Sequence, residues 1–293
     1  MKKSLSIFSL IILVSACSGI QGSQSSPTHE PEEMTPTPLA AIPPTVKVPV
    51  MTPTISPQPD LVEPVTFTTA DGVNLAGTLF GEGEVAVILA HQGTYGADQT
   101  TWHPFARVLA ERGYAALTFD FRGVGQSEGK LLYGDLGKDV NAAVQFLQQR
   151  GYEKIACIGA SMGGTACIRA AQSYAFTGLV ILASTMTAGS GGYSLYVTPY
   201  ELENLTQPKL FISAISDVPL VVNDTKNMFK LSPDPKNLLL LPGTQHGTDL
   251  FNTDAGDELS AAMLRFLENI SDHTSGARPA LQSITIENAE KIQ

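Results

Sequence analysis

A serine hydroxyl attacks a carbonyl usefully only where a base can take its proton, and Ser161 is the serine in this chain best placed for that. It sits in IACIGASMGG, residues 155–164, where an apolar run meets Gly159-Ala160-Ser161-Met162-Gly163. The spacing G-x-S-x-G suits a sharp turn whose neighbouring backbones cross so closely that side chains at 159 and 163 would collide. A turn that merely needs small residues is the bland alternative, so the reading depends on partners elsewhere. The chain has five histidines. His29 and His273 lie in polar end segments and His103 opens a helix, which leaves His91 and His246, each just after an apolar strand. His246 lies C-terminal to the serine, in the small loop after NLLLLPGTQ, and is the better base; the surroundings of His91 suit another role. A base also needs an orienting carboxylate. Asp217 follows the end of KLFISA by three residues, whereas Asp224 and Asp234 stand further from a strand end and suit capping or solvation. The segment from Ser184 to Tyr200 offers no acid.

Those residues need a scaffold that gathers strand ends. From Val65 onward, strand-like and helix-like segments alternate. VTFTTADGVNLAGTLF predicts a hairpin turning at Asp71-Gly72. VAVILA, at 85–90, is a continuous apolar strand of the kind covered on both faces. A helical stripe of Trp102, Phe105, Ala106 and Leu109 follows, with Gly113 beyond its end. AALTFDF is the next strand, and Asp135 is placed to cap a helix burying Leu136, Val140, Val144 and Leu147. Strands KIACIGA, GLVILA, KLFISA and NLLLLPG come next, with helices after Ser161, near Val221 to Phe229, and through Leu259, Met263, Phe266 and Ile270. Such alternation predicts an α/β fold, a mostly parallel sheet with helices on both faces. Ligands in these sheets bind beyond the carboxyl ends of the strands, where Ser161, Asp217 and His246 all fall.

With Ser161, Asp217 and His246 in that order, residues 62–272 resemble the α/β-hydrolase fold family. LAHQGTYG is similar to the segment after that family's third strand, and DFRGVGQSEG, 120–129, is similar to its D-x-R-G-x-G-x-S turn. The resemblance implies that the Met162 N–H is one oxyanion donor. Gly93 is the other, or Gln92, because Gln92 stands where the family carries glycine. The implied chemistry is hydrolysis through an acyl-enzyme, without metal or organic cofactor. About 25 residues separate GLVILA from KLFISA, little chain for a lid, so the likeness is closest to small lidless carboxylesterases and dienelactone-hydrolase-like enzymes. That favours small or short-chain esters. A peptidase or thioesterase of the same fold, and a catalytically silent binding protein on this scaffold, are the alternatives.

Composition bounds the rest. The 293 residues are 43% hydrophobic and 16% charged, a globular balance, with a formal net charge of −10. Without a basic cluster there is no footprint for nucleic acid. MKKSLSIFSLIILVSAC places two lysines before a short apolar run and a small-residue exit, the pattern of a secretory signal; the run is short of the about 20 apolar residues that span a bilayer. Val14-Ser15-Ala16-Cys17 resembles the lipobox of bacterial lipoproteins. Residues 1–16 are then a removable signal, and Cys17 is the lipidated first residue of an exported, membrane-anchored cell-envelope protein. Cleavage would remove Lys2 and Lys3 and no acid, taking the charge from −10 to −12. Residues 17–64 are rich in Pro and Thr without helical or strand period, a tether, and 273–293 form a polar tail around the 65–272 domain. GVGQSEG lacks the third glycine and the immediate helix of a dinucleotide loop, and His246-x-x-Asp249 lacks further ligands for a metal site. Cys157 and Cys167 are expected as buried thiols flanking the serine turn, an elbow-spanning disulfide being the lesser alternative. A small-molecule ester and the membrane are the expected partners, and no protein partner is implied.

Overall fold

The hairpin forms where the Asp-Gly pair predicts it. Strand β1 (Val62–Thr68) pairs antiparallel with β2 (Asn74–Phe80), Val62 opposite Phe80. Between them Gly72 takes φ +85° and its N–H donates to the Thr69 carbonyl. Alternation along β1 buries Val65 and Phe67, as a strand covered on one face requires. The strand begins at Val62, three residues before the expected domain start. The computed structural model describes residues 61–189 and 193–272. The signal segment, Cys17, the tether up to residue 60 and the tail from 273 lie outside them.

Five further strands are buried along their whole or nearly whole length: β3 (Val85–Ala90), β4 (Ala115–Phe119), β5 (Lys154–Ala160), β6 (Leu179–Leu182) and β9 (Lys209–Ala214). With edge strand β10 (Lys236–Leu241) they complete an eight-stranded sheet of order β1-β2-β4-β3-β5-β6-β9-β10. The strands from β4 to β10 run parallel, and β2 joins β4 antiparallel. This is the mostly parallel sheet that continuous apolar runs predict.

Helices cover both faces. On one, α2 (Leu136–Gln149) buries Leu136, Val140, Val144 and Leu147, and α3 (Met162–Ala170) buries Ala166 and Ile168. On the other, α1 (His103–Glu111) contributes Phe105 and Leu109, and α6 (Gly256–Asp272) contributes Leu259, Met263, Phe266 and Ile270. Each of the larger of these side chains stabilises the fold by about 1.5–3 kcal/mol relative to leaving it in water. Trp102 is fully buried but belongs to a 3-10 turn, Gln99–Trp102, ahead of α1. Asp135 occupies the N-cap of α2 yet makes no capping bond, against expectation. Its carboxylate lies 2.8 Å from Lys138 Nζ and 3.4 Å from the Arg122 guanidinium instead, because full charges attract it more strongly than a backbone N–H does.

Among the described residues, the chain between β6 and β9 carries no lid domain. It forms a two-stranded ribbon, β7 (Thr187–Ala188) with β8 (Leu195–Tyr196), and a short helix, α4 (Pro199–Glu203), closed by a Thr198–Glu201 capping box. Helix α5 (Pro219–Leu231) then packs on β9. Because β4 lies on one side of β3 and β5 on the other, the sheet has a switch point at the carboxyl end of β3, where loops leave in opposite directions and open a crevice.

Candidate active site

Ser161 is held at φ 52°, ψ −118°, a conformation that only steric enclosure maintains in a residue with a Cβ. The enclosure is visible in its glycines. A Cβ on Gly159 would lie 2.4 Å from the Gly163 carbonyl carbon, and one on Gly163 would lie 2.3 Å from the Ala90 oxygen. The first turn of α3 is thereby pressed against both β5 and the end of β3. The Ser161 N–H donates to the Leu182 carbonyl of β6, which fixes the turn from the other side. Cys157 on β5 and Cys167 on α3 form a disulfide, correcting the expectation of free thiols. The two side chains are fully buried on facing elements, with Cα atoms 6.2 Å apart, within bonding range.

The structure brings Asp217 and His246 together. Asp217 follows β9, and its side chain is 1% exposed; Oδ2 lies 2.9 Å from His246 Nδ1, and Oδ1 accepts the Val218 N–H at 2.6 Å. With both carboxylate oxygens engaged, the imidazole has one favoured orientation, Nδ1–H toward the acid, leaving Nε2 as acceptor. The loop carrying His246 reaches the serine turn, since a Cβ on Gly247 would lie 3.6 Å from that of Ala160. Among the described residues Ser161 Oγ makes no hydrogen bond.

His91 is fully buried and has the other role its surroundings suggest. Its Nε2 accepts the Phe121 N–H at 3.2 Å and its Nδ1 donates to the Gln92 carbonyl at 2.7 Å. Burial holds its pKa below the usual imidazole value, so the ring is neutral and ties the β3 and β4 ends together. Gly93 follows, and a Cβ there would lie 2.8 Å from Met162 Sδ, so its backbone packs against the side chain of the residue after Ser161. Neither the Gly93 nor the Met162 N–H donates a hydrogen bond among the described residues. The Gln92 side chain turns the other way. Its Oε1 accepts the Thr248 N–H at 2.7 Å, a contact across 156 residues of sequence that no local pattern announces.

DFRGVGQSEG is structural. Asp120 accepts the N–H groups of Gln99 and Gln126 at 2.9 Å each, and Ser127 Oγ donates to the Asp120 carbonyl. Arg122, 3% exposed, pairs with Asp139 and Asp71. Among the described residues no group of three or more His, Cys, Asp or Glu could hold a metal, and no helix is long and apolar enough to cross a membrane.

A family model described as serine aminopeptidase, S33, matches residues 83–248, more than half of the chain, and the chain belongs to that family of α/β hydrolases. The uncharacterized protein YfhR of Escherichia coli (strain K12) is 26% identical over 243 residues, covering 72% of this chain and 82% of its own. The Pyrococcus furiosus esterase Pf2001 superposes with a TM-score of 0.62 at 21% identity, over 71% of this chain and 91% of that one. The α/β hydrolase GrgF from Penicillium sp. sh18 gives 0.61 at 20% identity, over 71% and 98%. These structural likenesses establish the fold.

Proposed function

We propose that this hydrolase cleaves small or short-chain carboxylic esters through Ser161, His246 and Asp217. The observation that carries the reading is the buried Asp217 carboxylate 2.9 Å from His246 Nδ1, on a loop that touches the strained Ser161 turn. Ser161 Oγ attacks the ester carbonyl while His246 Nε2 takes its proton, and Asp217 stabilises the resulting imidazolium. The Met162 and Gly93 N–H groups, both without an acceptor among the described residues, stabilise the oxyanion by roughly 3–4 kcal/mol per donor. Gly93 is favoured over Gln92 as donor because it packs against the side chain of Met162, the residue after Ser161. His246 then returns the proton to the departing alkoxide, and water repeats the sequence on the acyl-enzyme.

A short ribbon and helix in place of a lid domain support small substrates. Anchoring through lipid on Cys17 after removal of residues 1–16 rests on the sequence motif. The Cys157–Cys167 disulfide supports an exported protein, since cytosolic pools keep most thiols reduced.

A fluorophosphonate probe with peptide mapping tests the nucleophile: the adduct is expected on Ser161 and absent from Ser161→Ala. A folded protein that takes no label would leave a silent binding scaffold. Because the family is described by an aminopeptidase, p-nitrophenyl esters of graded length belong beside aminoacyl p-nitroanilides in one assay. Faster turnover of the anilides would replace the ester reading with a peptidase one.

A further inference from the structure

We propose that the side chain of Gln92 is a positioning residue that locks the oxyanion loop to the loop carrying the base, an inference that rests on the proposed triad. Gln92 is 1% exposed, and both the oxygen and the nitrogen of its amide are engaged. Oε1 accepts both the Thr248 N–H at 2.7 Å and the Thr248 hydroxyl at 3.1 Å, while Nε2 donates to Thr94 Oγ1 at 3.0 Å. The amide thus bridges residues 92–94, which hold the Gly93 N–H, to Thr248, two residues after His246.

The intervening residue shows how closely the two loops fit. Gly247 adopts φ +59°, and a Cβ there would stand 1.9 Å from Gln92 Oε1. The base loop therefore passes directly over the glutamine amide and has room for no side chain at that point. A glycine at 92 would leave the Thr248 N–H, in a residue 4% exposed, without this acceptor. It would also free the base loop to shift relative to Met162 and Gly93. The alkoxide-stabilising N–H and the proton-accepting Nε2 act on the same tetrahedral centre, so their separation controls the rate of the chemical step more than substrate affinity.

Gln92→Met keeps the length of the side chain and removes its hydrogen bonds; Gln92→Glu restores the Oε acceptor for Thr248. In the full-length protein, Gln92→Met is expected to lower kcat on short p-nitrophenyl esters on the order of 10²-fold, with KM changing by less than about threefold. Fluorophosphonate labelling of Ser161 should slow in parallel, and Gln92→Glu should recover most of kcat. Hydrogen exchange at the Thr248 amide reads the tie without turnover: protection should fall in Gln92→Met while amides of β5 keep theirs. A folded Gln92→Met with wild-type kcat, or with a loss confined to KM or to melting temperature, overturns the proposal. Should Gln92→Met not fold, Thr248→Val removes only the hydroxyl contact and is expected to lower kcat severalfold at unchanged KM; an unchanged kcat overturns the proposal equally. An inactive, unlabelled wild type whose Thr248 amide still responds to Gln92→Met would refute the ester-hydrolase reading and leave the loop tie in place.

Discussion

Ser161 and His91 show how position, more than residue type, sets chemistry here. Both carry groups able to attack or to take a proton, yet of the two only Ser161 stands at a strained turn, while both nitrogens of His91 are bonded in the core. His246→Ala is therefore expected to abolish ester turnover, whereas His91→Ala should retain part of it. The cost of the latter falls on stability, about 1–3 kcal/mol in urea denaturation, because the buried Phe121 N–H loses its acceptor. The reverse ranking of the two variants in turnover would overturn the choice of base. The residue types and chain order of Ser161, Asp217 and His246 are legible in the sequence alone, since each falls just after an apolar run. Gln92 is legible there only as a departure from a family pattern, because its partner Thr248 lies 156 residues away.

The element that matters most is β5–turn–α3, built from the close approaches at Gly159 and Gly163 and a covalent link. Gly163→Ala would set a methyl 2.3 Å from the Ala90 oxygen, and neither backbone can yield without moving β3. Its expected outcome is a lowered melting temperature together with lost fluorophosphonate labelling. The disulfide closes a short loop across the same turn, with a sequence separation of 10. Replacing both cysteines by alanine should cost about 2–3 kcal/mol on the chain-entropy account, read as a lower urea midpoint. An unchanged midpoint would mean that packing alone holds the elbow. Strand and helix types are readable along most of the chain because continuous apolar runs and 3.6-residue stripes have distinct periods. The β7–β8 ribbon is not, as its two short strands carry too few residues to show a period.

At the scale of the whole molecule, a few charged side chains are buried among the described residues, and the densest group of them surrounds Arg122. Arg122 is 3% exposed and lies against the fully buried Asp139, with Asp71 on its other side. Arg122→Met strands a buried carboxylate and is expected to cost about 3–5 kcal/mol in urea denaturation. The Arg122 hydrogen bonds also hold the Asp71 pKa well below the usual carboxylate range. A group depressed in the folded state adds stability above its unfolded value, near 4, and loses it as pH falls through the folded value. Acid titration of stability should accordingly be shallower in Arg122→Met. At the scale of the cell, Cys17→Ser should release the protein from membranes. A wild type already soluble after fractionation would refute the lipid anchor.

Hydrophobic period, turn chemistry and the order of three reactive residues are local properties, and the sequence by itself determined them: an α/β sheet, an Asp-Gly hairpin, a small-residue elbow and the candidate relay after it. Tertiary structure alone decided which distant groups meet. It joined Cys157 to Cys167, diverted Asp135 from capping to Arg122 and Lys138, closed Gln92 onto Thr248, and set Gly93 against Met162. The reason is physical: a strand or helix is specified by neighbours a few residues away. A contact across the switch point is specified by how eight strands order themselves, which no short window of sequence contains.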